Sequence, residues 1–221
     1  MKISRLVGVG LLLGVFAGTN AYALPTVTVT WDPNHSPTGG EFILATSDAG
    51  TFNSFCLEMD ENVSIGGTYF YSTSNSAQLG GVNTNSGDPI SVGTAWLYSQ
   101  FAAGTLTGYT HTMAQQTDLQ NAIWMLENEL ASTDKNYNLS NPWITLAESA
   151  LGMTFTQLQA DANGAYGVSA MNLWTNADGT GPAQDMLKVP DGGTTLALLG
   201  LAMTGLGWVS RRKQRAGRPK E

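Results

Sequence analysis

Apolar and polar positions alternate as soon as the chain passes residue 24. Thr26-Val27-Thr28-Val29-Thr30-Trp31 puts every second side chain on one face and predicts a strand. A loop with Pro33, Pro37 and the pair Gly39-Gly40 follows. Glu41-Phe42-Ile43-Leu44-Ala45 and Thr51 to Met59 read as two more strands, joined into a hairpin by a turn around Asp48 to Gly50. Thr68-Tyr69-Phe70-Tyr71-Ser72 is a further short strand, and residues 73–91, rich in Ser, Asn and Gly, read as an irregular surface loop.

The period then lengthens. Ala95, Trp96, Tyr98 and Phe101, stopped by Gly104, predict a helix over residues 92–103. Leu119, Ile123, Leu126 and Leu130 fall on one face of the clearest helix, over residues 118–130, with Thr117 or Asp118 placed to cap it. Pro142 to about Ala165 reads as helical with a break near Gly152, and Val168 to Trp174 as a last strand. The sum is an α+β fold in which a strand-rich N-terminal half packs with two or three helices.

Hydropathy at the two ends divides the chain further. Lys2 and Arg5 precede an apolar run from Leu6 to Gly18 and an Ala21-Tyr22-Ala23 cleavage pattern, so residues 1–23 read as a signal peptide. One domain is expected over residues 24–188. At the far end Thr194 to Ser210 carries no charge, and at 1.5 Å per residue it makes about 26 Å of helix, at the short end of a membrane span. Arg211, Arg212 and Lys213 follow, and a basic tail over residues 214–221 would stay on the cytoplasmic side.

Charge removes several function classes. Between Leu24 and Leu187 the acids, from Asp32 to Asp185, face a single base, Lys135. Such a domain has no cationic surface with which to displace counterions from nucleic acid or to dock on anionic lipid. No G-x-S-x-G, H-E-x-x-H or phosphate-binding loop is present. Asp134-x-Asn136-x-Asn138-x-Ser140 starts like a calcium loop but has Thr145 where the closing Glu belongs, which favours a solvated turn; no metal or other cofactor is expected. His35 and His111 are the only histidines, so a cysteine hydrolase pairing Cys56 with His111 would need long-range folding.

Val189-Pro190-Asp191-Gly192-Gly193, the apolar run and the Arg211-Arg212-Lys213 cluster together resemble the bacterial PEP-CTERM class of sorting signals, in the VPDSG variety, with Gly192 standing where that motif usually has Ser. The resemblance covers roughly residues 188–213. It implies export, an inner-membrane-anchored precursor held through the C-terminal helix, and processing near the motif by the membrane protease-transpeptidase exosortase. The product would be a cell-surface or extracellular-matrix protein.

Two further motifs lie within the domain: Phe55-Cys56-Leu57-Glu58 ending a strand, and Leu119-Gln120-Asn121-Ala122-Ile123-Trp124 in a helix. Cys56 is the only cysteine, which excludes an intrachain disulfide. Burial as a small apolar residue accounts for such a thiol. So does attack of Cys56 on the carboxamide of Gln120 with loss of ammonia, which gives an internal thioester if rigid elements hold the two face to face and aromatics such as Phe55 and Trp124 exclude water. The motif pair resembles the thioester domains of bacterial surface adhesins. That resemblance implies a Cys56–Gln120 crosslink; such a bond would be able to capture an amine on a partner protein or polysaccharide, and by general-base chemistry Glu58 or Glu127 is a candidate to take the amine's proton. Gln120 as a capping or surface residue, with Cys56 as core filler, requires no chemistry. The expectation is an exported, non-enzymatic surface protein, with a carbohydrate- or calcium-binding envelope module as the alternative.

Overall fold

The computed structural model describes residues 23–35, 39–78 and 87–189. The expected signal peptide up to Tyr22, the sorting motif from Pro190 and the apolar segment 194–210 lie outside the described residues.

Alternation is realised in the sheet. Strands β1 (Thr26–Trp31), β2 (Phe42–Thr46), β3 (Thr51–Ser54) and β4 (Thr68–Ser74) bury Val27, Val29, Phe42, Leu44, Tyr69 and Tyr71 on one side. A two-residue ribbon, β5 (Ser76–Ala77) with β6 (Asp88–Pro89), interrupts the stretch expected to be irregular, and β4 runs two residues further than its sequence pattern marked. β7 (Ser169–Trp174) buries four consecutive residues, Ala170 to Leu173, as a strand covered on both faces does. β8 (Met186–Lys188) has no signature in the sequence. The main sheet is antiparallel, in the order β3-β2-β1-β4-β7-β8.

The outer edges of that sheet meet. β3 ends at Ser54 rather than at Met59, because its partner β2 begins opposite it at Phe42. The chain continues extended and turns to β8: Leu57 N–H donates to the Asp185 carbonyl (2.9 Å), Leu187 N–H donates to the Phe55 carbonyl (3.1 Å), and Cys56 stands opposite Met186. The closed sheet leaves fewer unpaired main-chain groups at its rim.

Among the described residues four helices cover it where two or three were expected, and the expected break falls at Gly152, at φ 65°, between α3 (Pro142–Leu151) and α4 (Phe155–Leu158). α1 (Val92–Ala102) is capped by Ser91 and touches the other three. Gly93 permits its approach to the end of α2, where an added Cβ would lie 2.8 Å from Leu126. α2 (Met113–Leu126) starts five residues before the expected point. Thr112, not Thr117 or Asp118, is its cap and accepts from Gln115 N–H, and Thr117 donates its hydroxyl to the Met113 carbonyl inside the helix. It ends at Leu126, with Asn128 at φ 60°, although Leu130 remains buried.

Candidate functional site

Pairing along an antiparallel ladder alternates in direction. Because Phe55 and Leu57 bond to β8, the N–H and C=O of Cys56 face the other way, towards the position β2 would fill. β2 has departed by then, and the register that sets Phe42 against Ser54 puts Gly40, at φ 144°, beyond the end of the ladder. The side chain of Gln120 takes that place. Cys56 N–H donates to Gln120 Oε1 at 3.0 Å, and Gln120 Nε2 donates to the Cys56 carbonyl at 2.8 Å. Both residues are buried. Gln120 therefore neither caps its helix nor lies on the surface. Its carboxamide is a two-point partner for the main chain that carries the thiol, which places its Cδ beside Cys56.

Trp124 stands one turn after Gln120 on the same face of α2 and is almost fully buried. Gly39 crosses both: a Cβ there would meet Trp124 Cη2 at 2.9 Å and Gln120 Cγ at 3.4 Å, and its φ of 102° suits glycine. Phe55 is sealed beneath, its ring edge-on to Phe101 at 5.0 Å. Trp124 and Gln120 thus share a contact with Gly39, while Phe55, next to Cys56 in the chain, packs on Phe101.

Burial, and after it the charge of Glu58, push the Cys56 thiol well above its usual range, so the free cysteine is a protonated thiol at neutral pH. The two carboxylates considered as proton acceptors occupy different places. Glu127 accepts from Ser91 N–H (3.1 Å) and the Ser91 hydroxyl (2.7 Å) at the start of α1, and burial raises its pKa to about 7. Glu58 is the carboxylate that acts on Cys56 electrostatically.

Glu58, Glu61 and Asp185 each bring one ligand oxygen within 4.8 Å of the others, the grouping among the described residues that could hold a cation. Asp185 is committed to the fold: its carboxylate accepts from Gln78 Nε2 (2.9 Å), Asn172 Nδ2 (2.9 Å) and Leu173 N–H (3.2 Å), with its pKa raised to about 6 chiefly by burial. The calcium-like segment closes on itself as a turn, Asp134 Oδ1 accepting from Asn136 N–H and Asn138 Oδ1 from Ser140 N–H.

The histidines serve separate ends. His35 stacks on Trp31 at 4.5 Å. His111, at φ 57°, turns its Nδ1 onto Glu41 Oε2 at 2.9 Å, so the imidazole is directed at a carboxylate and not at Cys56. Glu41 also accepts from the Tyr109 hydroxyl (2.8 Å) and from Asn53 Nδ2. Sequence reasoning missed Glu41 as more than the first residue of a strand; an acid beside an apolar run was its only signal.

Among the described residues no helix is long and apolar enough to cross a membrane. The VPDSG-CTERM motif matches residues 188–213, which include Val189 to Gly193 and the Arg211-Arg212-Lys213 cluster, and does not extend to Cys56 or Gln120. No curated protein and no solved structure matches the chain. The motif match supports an exported protein of the PEP-CTERM type that exosortase processes at the membrane.

Proposed function

We propose that the exosortase-sorted chain is a non-enzymatic cell-surface or matrix protein whose domain binds partner amines covalently through a Cys56–Gln120 thioester. The observation that carries this reading is the buried two-point pairing of the Gln120 carboxamide with the main chain of Cys56. In forming the bond, Cys56 Sγ attacks Gln120 Cδ, the C–N bond breaks, and ammonia leaves with the thiol proton. Cys56 N–H, already on Oε1, stabilises the charge that develops on that oxygen. Glu58, whose charge adds to burial in keeping the thiol protonated, relays the proton to the departing nitrogen. An arriving amine reverses the pattern: its nitrogen bonds to Cδ, the C–S bond breaks, and its proton passes to Cys56. The product is a stable amide, so each molecule reacts once.

The packing of Gly39, Phe55 and Trp124 supports the reading because a thioester survives only where water is kept out. The test is the mass of the peptides holding Cys56 and Gln120 in the exported protein. A crosslinked pair lighter by one ammonia, opened by methylamine and absent from Cys56→Ala, is the expected result. Two unmodified peptides and a methylamine-inert protein would leave Gln120 as a structural partner of the Cys56 main chain.

A further inference from the structure

A cleft of about 370 Å³ opens beyond the C-terminal end of α2. Asn128 and Ser132 line it from the chain that leaves the helix, Tyr137 from the turn that follows, and Phe155 and Gln159 from α4 and its C-cap. That volume lies in the range of small-ligand sites. No Asp, Glu, Lys or Arg belongs to the lining, and neither Cys56 nor Gln120 does.

The amides of this cleft are held in one orientation. Gln159 Nε2 uses both of its hydrogens, donating to the Met125 carbonyl at 3.0 Å and to Asn128 Oδ1 at 2.7 Å. A main-chain carbonyl only accepts, so the first bond fixes which end of the Gln159 carboxamide is nitrogen, and the second fixes Asn128 in turn. Gln159 Oε1 and the two hydrogens of Asn128 Nδ2 have no partner among the described residues. These groups are within reach of a ligand, since Asn128 and Ser132 are exposed and Gln159 is half-buried. Asn128 holds its place at φ 60°, a conformation that Asn tolerates better than most residues. The apolar share of the lining is aromatic: Tyr137 and Phe155 meet edge to face, their centroids 6.4 Å apart, and both are partly exposed.

A cleft of fixed neutral amides, a hydroxyl and aromatic walls offers a charged ligand no counter-ion, so an ion would lose hydration without a partner. A hydroxyl group both donates and accepts, and two neighbouring hydroxyls on a sugar ring match an amide oxygen beside an amide nitrogen. The C–H face of the same ring packs on aromatic carbon. An extended peptide adds to a sheet edge through its main chain, and no strand contributes to this lining. We infer that this cleft is a non-covalent binding site for a neutral saccharide, with ring hydroxyls on Gln159 Oε1 and Asn128 Nδ2 and the ring face against Tyr137 and Phe155. Export, which the C-terminal motif supports, places the domain where polysaccharides are presented. The inference does not rest on the thioester.

The test is affinity electrophoresis of the full chain, in a sugar-free polyoxyethylene detergent, through native gels containing dextran, hydroxyethylcellulose or galactomannan, with polygalacturonate as the charged counterpart. Expected are retardation by at least one neutral polymer, none by polygalacturonate, affinity roughly fivefold or more weaker in Asn128→Gly and in Tyr137→Leu, and no change in Cys56→Ala. Asn128→Gly keeps the left-handed backbone accessible while removing the amide. No retardation by any neutral polymer, equal retardation by polygalacturonate, or wild-type affinity in both variants would overturn the inference. Equal displacement of the polymer by an uncharged Gly-Ser peptide would assign the cleft to peptides instead. Should Tyr137→Leu fail to fold, Ala131→Trp fills the cleft from its exposed rim, and unchanged retardation of that variant would overturn the location.

Discussion

Removing Cys56 and Gln120 singly and together separates a crosslink from a hydrogen-bonded pair by free energy alone. Gln120→Met keeps most of the side-chain volume and deletes both polar ends, leaving Cys56 N–H and C=O buried without partners. At about 1–3 kcal/mol per orphaned group, the cost is roughly 2–6 kcal/mol. Cys56→Ala keeps the same N–H and C=O and removes only the sulfur. If the residues are joined solely by hydrogen bonds, they are still neighbours, and the double variant departs from the sum of the single losses by no more than about 0.5–3 kcal/mol. If the thioester is present, each single change destroys the same crosslink. That crosslink closes a loop between residues 64 apart, for which the chain-entropy relation gives about 4 kcal/mol. The double variant then loses about 4 kcal/mol less than the sum. The assay is denaturant unfolding of the purified variants at constant m-value. A coupling near zero refutes the thioester, and a Gln120→Met loss below about 1 kcal/mol refutes the two-point pairing itself.

Three further outcomes are expected. Glu127 has its pKa raised by burial to about 7, above its ordinary 4.5, so its contribution is full below pH 4.5 and is lost as pH rises through 7; Glu127→Gln should raise stability at pH 8 by roughly 3 kcal/mol and flatten that slope in pH-dependent unfolding. Asp185→Ala strands the Gln78, Asn172 and Leu173 donors around a fully buried site and should cost about 3 kcal/mol or more, seen as a fall in Tm, whereas a neutral result would contradict the network. Deleting residues 194–221 should release the protein from the membrane fraction, and continued membrane retention on fractionation would contradict the sorting role assigned to the tail.

Much of the scaffold was legible because local pattern and tertiary demand agree there. Val27 and Val29 alternate with threonines and line the core face of β1, while Ala95, Tyr98 and Phe101 mark the buried face of α1. Legibility failed where a distant partner decides. The first turn of α2 has polar residues at Gln115 and Gln116, so apolar periodicity gives no notice of it. Yet Gln116 is buried because its Nε2 donates to Asp32, 84 residues away. β8 spans three residues and is a strand only because β7 on one side and the chain around Cys56 on the other require it. At the site, the Cys and Gln motifs named two residues that the fold brings into hydrogen-bonded contact. The sequence could not convey that Gln120 engages the main chain of Cys56, since that depends on β2 beginning at Phe42, two residues short of the position opposite Cys56. The Glu41–His111 contact, across 70 residues, left no local trace.

The seam between β8 and the chain around Cys56 also sets an order of events. A polypeptide leaves the ribosome and crosses a membrane from its N-terminus, and Met186 to Lys188 is the last strand of the domain to emerge. Until it does, Phe55 and Leu57 have no neighbour on that edge, and the sheet is an open curl. Lys188 is at once the end of β8 and the first residue of the matched sorting signal, and Val189 packs against the core. Completion of the fold and presentation of the signal are therefore neighbouring steps on one stretch of chain. A processing enzyme that cut within Met186 to Lys188 would have to unzip the sheet, whereas one that cuts beyond Val189 meets a domain already closed.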